Sequence, residues 1–261
     1  MSIYRALVKL EQENGTGALC TIIKSQGSTP RHVGSKMLVY PDGSILGTVG
    51  GGEMENRVIA EAIHSMSDGN SRTLVYEMVD PEKGDPGICG GRLEVFIEPL
   101  QTKPTLVIIG AGHVGKAVAH LAQWLDYRVV VSDDRLEMCT PQAFPEADQY
   151  LPGPMAETPQ YLDFSSPTYF VLTTRGVEID VPGLPSLLNS PAEYVGIIGS
   201  QKRWAASREQ LLEQGIPEEK LNRVHSPIGL DINAETPEEI AVSVMAEIIK
   251  LRGEGSQRLK K

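Results

Sequence analysis

The chain has 261 residues, 41% of them apolar and 22% charged, with a formal net charge of −10, which supplies enough hydrophobic material for one large domain or two of ordinary size. The acidic balance excludes a general nucleic-acid surface, because such a surface needs clustered Lys and Arg to neutralise phosphates. No apolar run reaches the length of a membrane span, "MSIYRALVKLEQENG" reads as an amphipathic helix and not a signal peptide, and the scattered Cys20, Cys89 and Cys139 form neither a disulfide framework nor a zinc spacing, so a cytoplasmic protein is expected.

Along the chain, residues 3–13 place Ile3, Leu7 and Leu10 on one helical face, with Gly15 and Gly17 ending the helix. "ALCTIIK" reads as a strand, "SQGSTPRHVGSK" as a loop, and "KMLVYPDGSILGTVG" as a hairpin turned at Pro41-Asp42-Gly43. Gly50, Gly51 and Gly52 then open a helix over 53–66 expected to bury Val58, Ile59, Ala62 and Ile63. "RTLVYEMV" and "RLEVFIEPL" read as strands on either side of the loop "DPEKGDPGICGG". Residues 1–100 thus predict a small α+β domain, and the polar, proline-ended "QTKP" at 101–104 predicts a linker.

Beyond it, "TLVIIGAGHVGKAVAHLAQWL" is an apolar strand, a glycine turn and a helix, and "YRVVVSDDR", "TYFVLTT" and "EYVGIIGS" are further apolar strands with helical segments between them. Apolar strands alternating with helices indicate a parallel sheet covered on both faces. Residues 105–252 therefore predict a Rossmann-like domain, so the fold class is α/β, with a tail at 253–261. The last helix is marked by a capping box of Thr236 and Glu239, with Pro237 in its first turn.

"GAGHVG" has the spacing G-x-G-x-x-G between a predicted strand and a predicted helix. In that pattern Gly110 permits the tight turn, Gly112 lets a phosphate approach the backbone, and Gly115 lets the helix pack on its strand. Asp133 and Asp134 end the next strand, where an acid binds a ribose hydroxyl in dinucleotide-binding proteins. His113, beside Gly112, is either a donor to a ligand oxygen or a solvent-facing helix-start residue. The glycines themselves either hold a phosphorylated ligand or serve packing alone.

The stretches "GSTPRHVGSKMLVYPDGSILGTVGGGEME", "DPGICGGRLEVFIEPL", "LVIIGAGHVGKAVAHLAQWLDYRVVVSDDR", "YVGIIGSQKR" and "HSPIGLDINAETPEEIAVSVMAEIIKLR" cover most of the chain. In this order they resemble the xanthine dehydrogenase accessory factor family, the XdhC/CoxI-like proteins. The resemblance implies a small N-terminal domain followed by a Rossmann-like one. It also implies a role in maturing molybdenum hydroxylases: binding molybdenum cofactor, supporting its sulfuration and delivering it to the apo-enzyme, with a cysteine desulfurase as a further partner. The chain departs from the family pattern at Glu53, where some relatives carry cysteine, and at Thr174-Arg175, where Thr-His is common.

A carrier of this cofactor needs anion binding, hydrogen bonds to ring edges and a soft or protected setting for the metal. Gly50, Gly51 and Gly52 at a helix start offer N–H groups to a phosphate, as does the turn from Gly110 to Gly115, and a bridging ligand could use both. Glu55 suits ring N–H donors, since a carboxylate would repel a nearby phosphate. The alternative for the triple glycine is a bulge or close backbone contact. Arg31 suits an anion through its planar fork, and Ser200 in "GSQKRW" opens another anion-facing turn, with Arg203 paired internally. Cys89, in a glycine-bounded loop, is the candidate molybdenum ligand and sulfur relay, because the thiolate is the active form. No Ser-His-Asp or Cys-His arrangement is readable. That favours a cofactor-binding chaperone over a turnover enzyme. The competing expectation is an NAD(P)-dependent oxidoreductase with His113 or His225 as proton donor. A homodimer is expected.

Overall fold

The structure, a computed structural model, describes residues 2–77, 91–100 and 102–258. The chain divides into two compact units, Met1–Thr102 and Lys103–Lys261.

The first unit begins with helix α1 (Ile3–Gln12), whose N-cap Ser2 accepts a hydrogen bond from the Arg5 N–H. Strands β1 (Ala18–Gln26), β2 (Lys36–Val39) and β3 (Ile45–Gly47), helix α2 (Gly52–Asp68), and strands β4 (Arg72–Glu77) and β5 (Arg92–Pro99) follow. The strands form an antiparallel sheet in the order β3-β2-β1-β5-β4. Ala18, Cys20 and Ile22 of β1 and Leu93, Val95 and Ile97 of β5 point to one face, the period-two pattern of a half-buried sheet. Helix α2 covers that face with Met54, Val58 and Ala62. Each aliphatic side chain buried this way stabilises the unit by about 1.5–3 kcal/mol. Ile63 is 40% exposed and not buried as expected. The inward row of α2 steps through Met54, Val58, Ala62 and Ser65, which leaves Ile63 a helical step off the contact face.

In the second unit, β6 (Thr105–Ile109), α3 (His113–Trp124), β7 (Arg128–Asp133), β8 (Gln149–Pro152), β9 (Thr168–Leu172) and α4 (Val177–Leu188) are followed by β10 (Tyr194–Ile197), α5 (Gln201–Glu213), α6 (Glu218–Leu221), β11 (Val224–His225) and α7 (Pro237–Arg258). All neighbours pair in parallel, in the order β11-β10-β9-β6-β7-β8. Counted from β6, that is the dinucleotide-fold order 3-2-1-4-5-6. One face packs Leu106, Ile108, Val129 and Val131 against α3 and α7, and the other packs Val107, Ile109, Phe170 and Leu172 against α4 and α5. Burial on both faces is why these strands read as unbroken apolar runs. The edge strands β8 and β11 have no such signature, since β8 ends in Pro152 and β11 is two residues long. The capping box is present: the Thr236 N–H donates to Glu239 Oε2 and the Glu239 N–H to Thr236 Oγ1. Helix α7 continues to Arg258, through residues 253–258 that the glycines of "GEGSQR" set aside as tail, because extending a helix fixes one residue per hydrogen bond once it is nucleated.

Candidate functional site

The strand order reverses between β6 and β9, and an open parallel sheet binds ligands in the crevice at the carboxyl ends of its strands there. Gly110 leaves β6 with φ of +113°, and a Cβ on it would lie 2.6 Å from the Thr173 carbonyl oxygen. A Cβ on residue 115 would lie 2.2 Å from the Gly110 oxygen. Both must be glycine for the turn to close on β9, and Thr173 Oγ1 donates to the Gly110 oxygen at 2.6 Å. Gly112 differs: a Cβ there would meet no atom within 4 Å. No side chain caps α3, its first turn carries no acid, and the N–H groups of Gly112, His113 and Val114 have no partner among the described residues. The positive end of a 12-residue helix therefore faces open space, with exposed His113 at its start.

Asp133 stands at the expected place, at the end of β7, but its carboxylate is fully engaged. Its Oδ2 accepts the Ala111 N–H at 2.6 Å and Arg135 Nη2–H at 2.8 Å, while Oδ1 accepts the backbone and Nε N–H groups of Arg135, both at 2.9 Å. Four bonds use the whole acceptor capacity of a carboxylate. Burial pushes the Asp133 carboxyl up, but the Arg135 guanidinium and the amides of Ala111 and Arg135 outweigh it and hold it at about 2. Asp133 thus clamps the glycine turn to the start of the next loop. Asp134 pairs instead with Arg175, whose Nη2–H groups donate at 2.7 and 2.8 Å. A cavity of about 130 Å³ opens here, lined by Gly110, Gly112, Asp134, Arg135, Thr174 and Arg175.

Behind this lining lies a buried ionic network. Arg203 donates from Nε and Nη2 to Asp180 Oδ2 at 3.1 and 2.7 Å, and from Nη1 and Nη2 to the carbonyl and Oγ1 of Thr174 at 3.1 and 2.7 Å. Thr174 Oγ1 in turn donates to Asp180 Oδ1, and Asp180 is fully buried. Arg203 is paired internally, as expected. Ser200 caps α5 by accepting the Arg203 N–H at 3.2 Å. The network ties the β9–α4 and β10–α5 turns together, and removing one partner would leave an uncompensated buried charge.

In the first unit the triple glycine also starts a helix, but its turn closes on a protein carboxylate. Glu55 Oε2 accepts Thr48 Oγ1–H at 2.5 Å and the N–H groups of Val49 and Gly51 at 3.2 Å, while the Gly50 N–H donates to Thr48 Oγ1 at 3.1 Å. Glu53 and Glu55 both sit in the first turn of α2, so its positive end is already compensated. Gly50 lies against Pro30, where a Cβ would come within 2.8 Å of Cγ, and a Cβ on Gly91 would lie 2.2 Å from the Ser28 oxygen. The loop carrying Arg31, the glycine turn and the start of β5 therefore meet at one edge of the unit. Arg31 is exposed and its guanidinium has no partner among the described residues. Gly51 and Gly52, with φ of +79° and +67°, have open space where a Cβ would be.

Models of two protein families match the chain: the XdhC Rossmann domain over residues 106–248 and the XdhC and CoxI family over residues 10–77. The chain belongs to the XdhC and CoxI family. Its relatives include uncharacterized protein YqeB of Escherichia coli K12, 36% identical over 97% of this chain and 46% of that protein. A probable xanthine dehydrogenase subunit from Bacillus subtilis is 35% identical over 60% of this chain and 46% of that protein. The molybdenum cofactor insertion chaperone PaoD of Escherichia coli is 23% identical over 95% of this chain and 89% of that protein. The chain thus spans about half the length of the first two relatives.

In this XdhC-family chain one constellation escaped the sequence reading. Glu247 of α7 accepts Tyr194 Oη–H at 2.5 Å and the Gly229 N–H at 2.9 Å on Oε2, and its Oε1 lies 3.1 Å from His225 Nδ1. The only signal was an acid interrupting the apolar row of Val244 and Ile248. It holds the "HSPIG" loop, with the rings of Tyr194 and His225 centred 4.6 Å apart. Cys20 and Cys139 are buried; burial pushes the Cys20 thiol up to about 12 and raises Cys139 as well, so both are inert. Cys89 lies outside the described residues. Among the described residues no group of His, Cys, Asp and Glu is arranged to hold a metal ion, and no helix is long and apolar enough to cross a membrane.

Proposed function

We propose that this chain binds molybdenum cofactor and delivers it to the apo-form of a molybdenum hydroxylase. The observation that carries the reading is the bare start of α3: unpaired N–H groups, open backbone at Gly112 and no acid in the first turn, which suits the phosphate of a pterin cofactor. Membership of the XdhC family supports it, as does the likeness to a relative named for molybdenum cofactor insertion. Gly110 and Gly115 would shape the phosphate turn, with His113 at its lip. The first unit offers a surface of its own, where exposed Arg31 would meet an anion, the second oxygen of Glu55 would accept N–H groups, and Gly51 and Gly52 leave the backbone open.

The nicotinamide reading is weaker, because Asp133 has no acceptor site left for ribose hydroxyls and Asp134 is paired with Arg175. In the proposed cycle Cys89 holds the molybdenum end and relays sulfur from a cysteine desulfurase, and the chain acts as a homodimer. The test is co-expression with cofactor biosynthesis, followed by oxidation of the purified protein and fluorescence detection of released pterin. Stoichiometric pterin is expected. Protein that stays free of pterin while the same cells mature their hydroxylases would end the proposal. A Cys89→Ser variant that yields fully sulfurated client enzyme would remove the sulfur relay alone.

A further inference from the structure

We propose that Arg175 is the side chain that captures a phosphate ester in the β6–β9 crevice, and that Asp134 is the carboxylate which that phosphate displaces. The inference rests on reading this unit as the phosphate-holding half of the protein, but not on which cofactor carries the phosphate.

The placement follows from the sheet. Asp134 follows the last residue of β7 and Arg175 comes just after β9, and these two strands flank β6. Neighbouring strands are about 4.8 Å apart, so the pair reaches across roughly two strand spacings, over the point where the glycine turn leaves β6. It therefore lies over the mouth of the cavity that both residues line.

The chemistry separates the two arginines of that lining. Arg135 is spent on buried Asp133 through Nε, Nη2 and its backbone N–H. Arg175 uses Nη2 alone for Asp134, and its Nε and Nη1 donors have no partner among the described residues. The side chains of Arg175 and Asp134 are 51% and 47% exposed, and such pairs contribute little to stability. A phosphate, with more charge and three acceptor oxygens, competes well for the same planar fork. Meanwhile Thr174, the preceding residue, is fixed by Arg203 and Asp180, so the backbone that carries Arg175 is anchored while its side chain is free to change partner. Of the other charged groups, Arg135 and Asp133 neutralise each other, which leaves Asp134 and, in the adjoining cavity, Glu178. Without Arg175 that surround would repel a phosphate.

The two residues should then act in opposite directions, which a merely structural ion pair would not do. Binding of ADP, pyrophosphate and adenosine to the purified full chain is measured by calorimetry, with thermal melting of each variant as a check on folding. We expect ADP and pyrophosphate to bind and adenosine not to. Arg175→Gln should weaken ADP at least about tenfold, the loss of a charge-assisted contact, and Asp134→Asn should tighten it roughly threefold by removing the competitor. Both variants should melt with the wild type. Folded Arg175→Gln that binds ADP like the wild type, Asp134→Asn that binds it more weakly, or wild-type protein with no affinity for ADP or pyrophosphate at millimolar concentration would each overturn the assignment. Protein that purifies without pterin yet shows this pattern would end the delivery reading and leave the Arg175 assignment standing.

Discussion

Two glycine turns open two helices in this chain and have opposite endings. At residues 48–52 the turn folds around Glu55, which takes the N–H groups of Val49 and Gly51 and the hydroxyl of Thr48. At 110–115 the acid, Asp133, takes the single N–H of Ala111 and leaves the amides of Gly112 to Val114 unclaimed. Glycine content is therefore a poor guide to an anion site. What decides is where the amides go, and whether the protein has already placed a carboxylate among them. The first turn has its own carboxylate among its amides, beside an exposed arginine; the second is a helix end still lacking its counter-charge.

The comparison can be broken most severely at Gly115. Gly115→Ala should lower stability by about 3 kcal/mol, because its Cβ would overlap a backbone oxygen that cannot move independently. Melting should fall by about 10 °C. Gly115→Ala protein that melts like the wild type would mean the turn is not packed on β9 as described. Next comes Asp133→Asn, expected to cost about 2 kcal/mol at neutral pH. The folded carboxyl sits at about 2 against an ordinary 3.8. Its contribution is thus complete above pH 4 and is lost as pH falls toward 2. The variant's stability should accordingly change less than that of the wild type over that window, as followed by denaturant titration at several pH values. Identical pH profiles would show that the clamp contributes nothing.

Glu55→Gln should cost roughly 1 kcal/mol, since an amide oxygen still accepts from Val49 and Gly51 but without charge. Removing the charge should also raise the affinity of this turn for inorganic phosphate, read by calorimetry; a folded variant with unchanged phosphate affinity would mean that the carboxylate is not what closes the turn to anions. The smallest effect on stability is expected at Gly112, where Gly112→Ala should stay within about 0.5 kcal/mol. The same change should reduce retention of pterin, because a methyl group would stand where the backbone is open. Unchanged retention in that variant would move the ligand away from α3.

Much of this architecture was readable beforehand. The G-x-G-x-x-G spacing, the unbroken apolar strands and the reciprocal box of Thr236 and Glu239 are local patterns whose physics acts within a few residues, so they appear in the structure as expected. The exposure of Ile63 was not readable, because its side of α2 depends on which helical row meets the sheet. Nor was the role of Glu247, whose partners Tyr194 and His225 lie more than twenty residues away.

By itself the chain's order of residue types specified a small mixed unit followed by a parallel dinucleotide-type sheet, and where each glycine turn falls. Period-two and period-3.6 burial, together with glycine and proline stereochemistry, act along the chain, so they can be read from it. Which amides stay unpaired was settled only by folding. Arg135, two positions on, takes three of the acceptor sites of Asp133, but the last is filled by Ala111, 22 positions away, and Asp134 meets Arg175 across 41 positions. Hydrogen-bond saturation and ion pairing at that separation follow from the three-dimensional path of the backbone and have no signature in the spacing of residues.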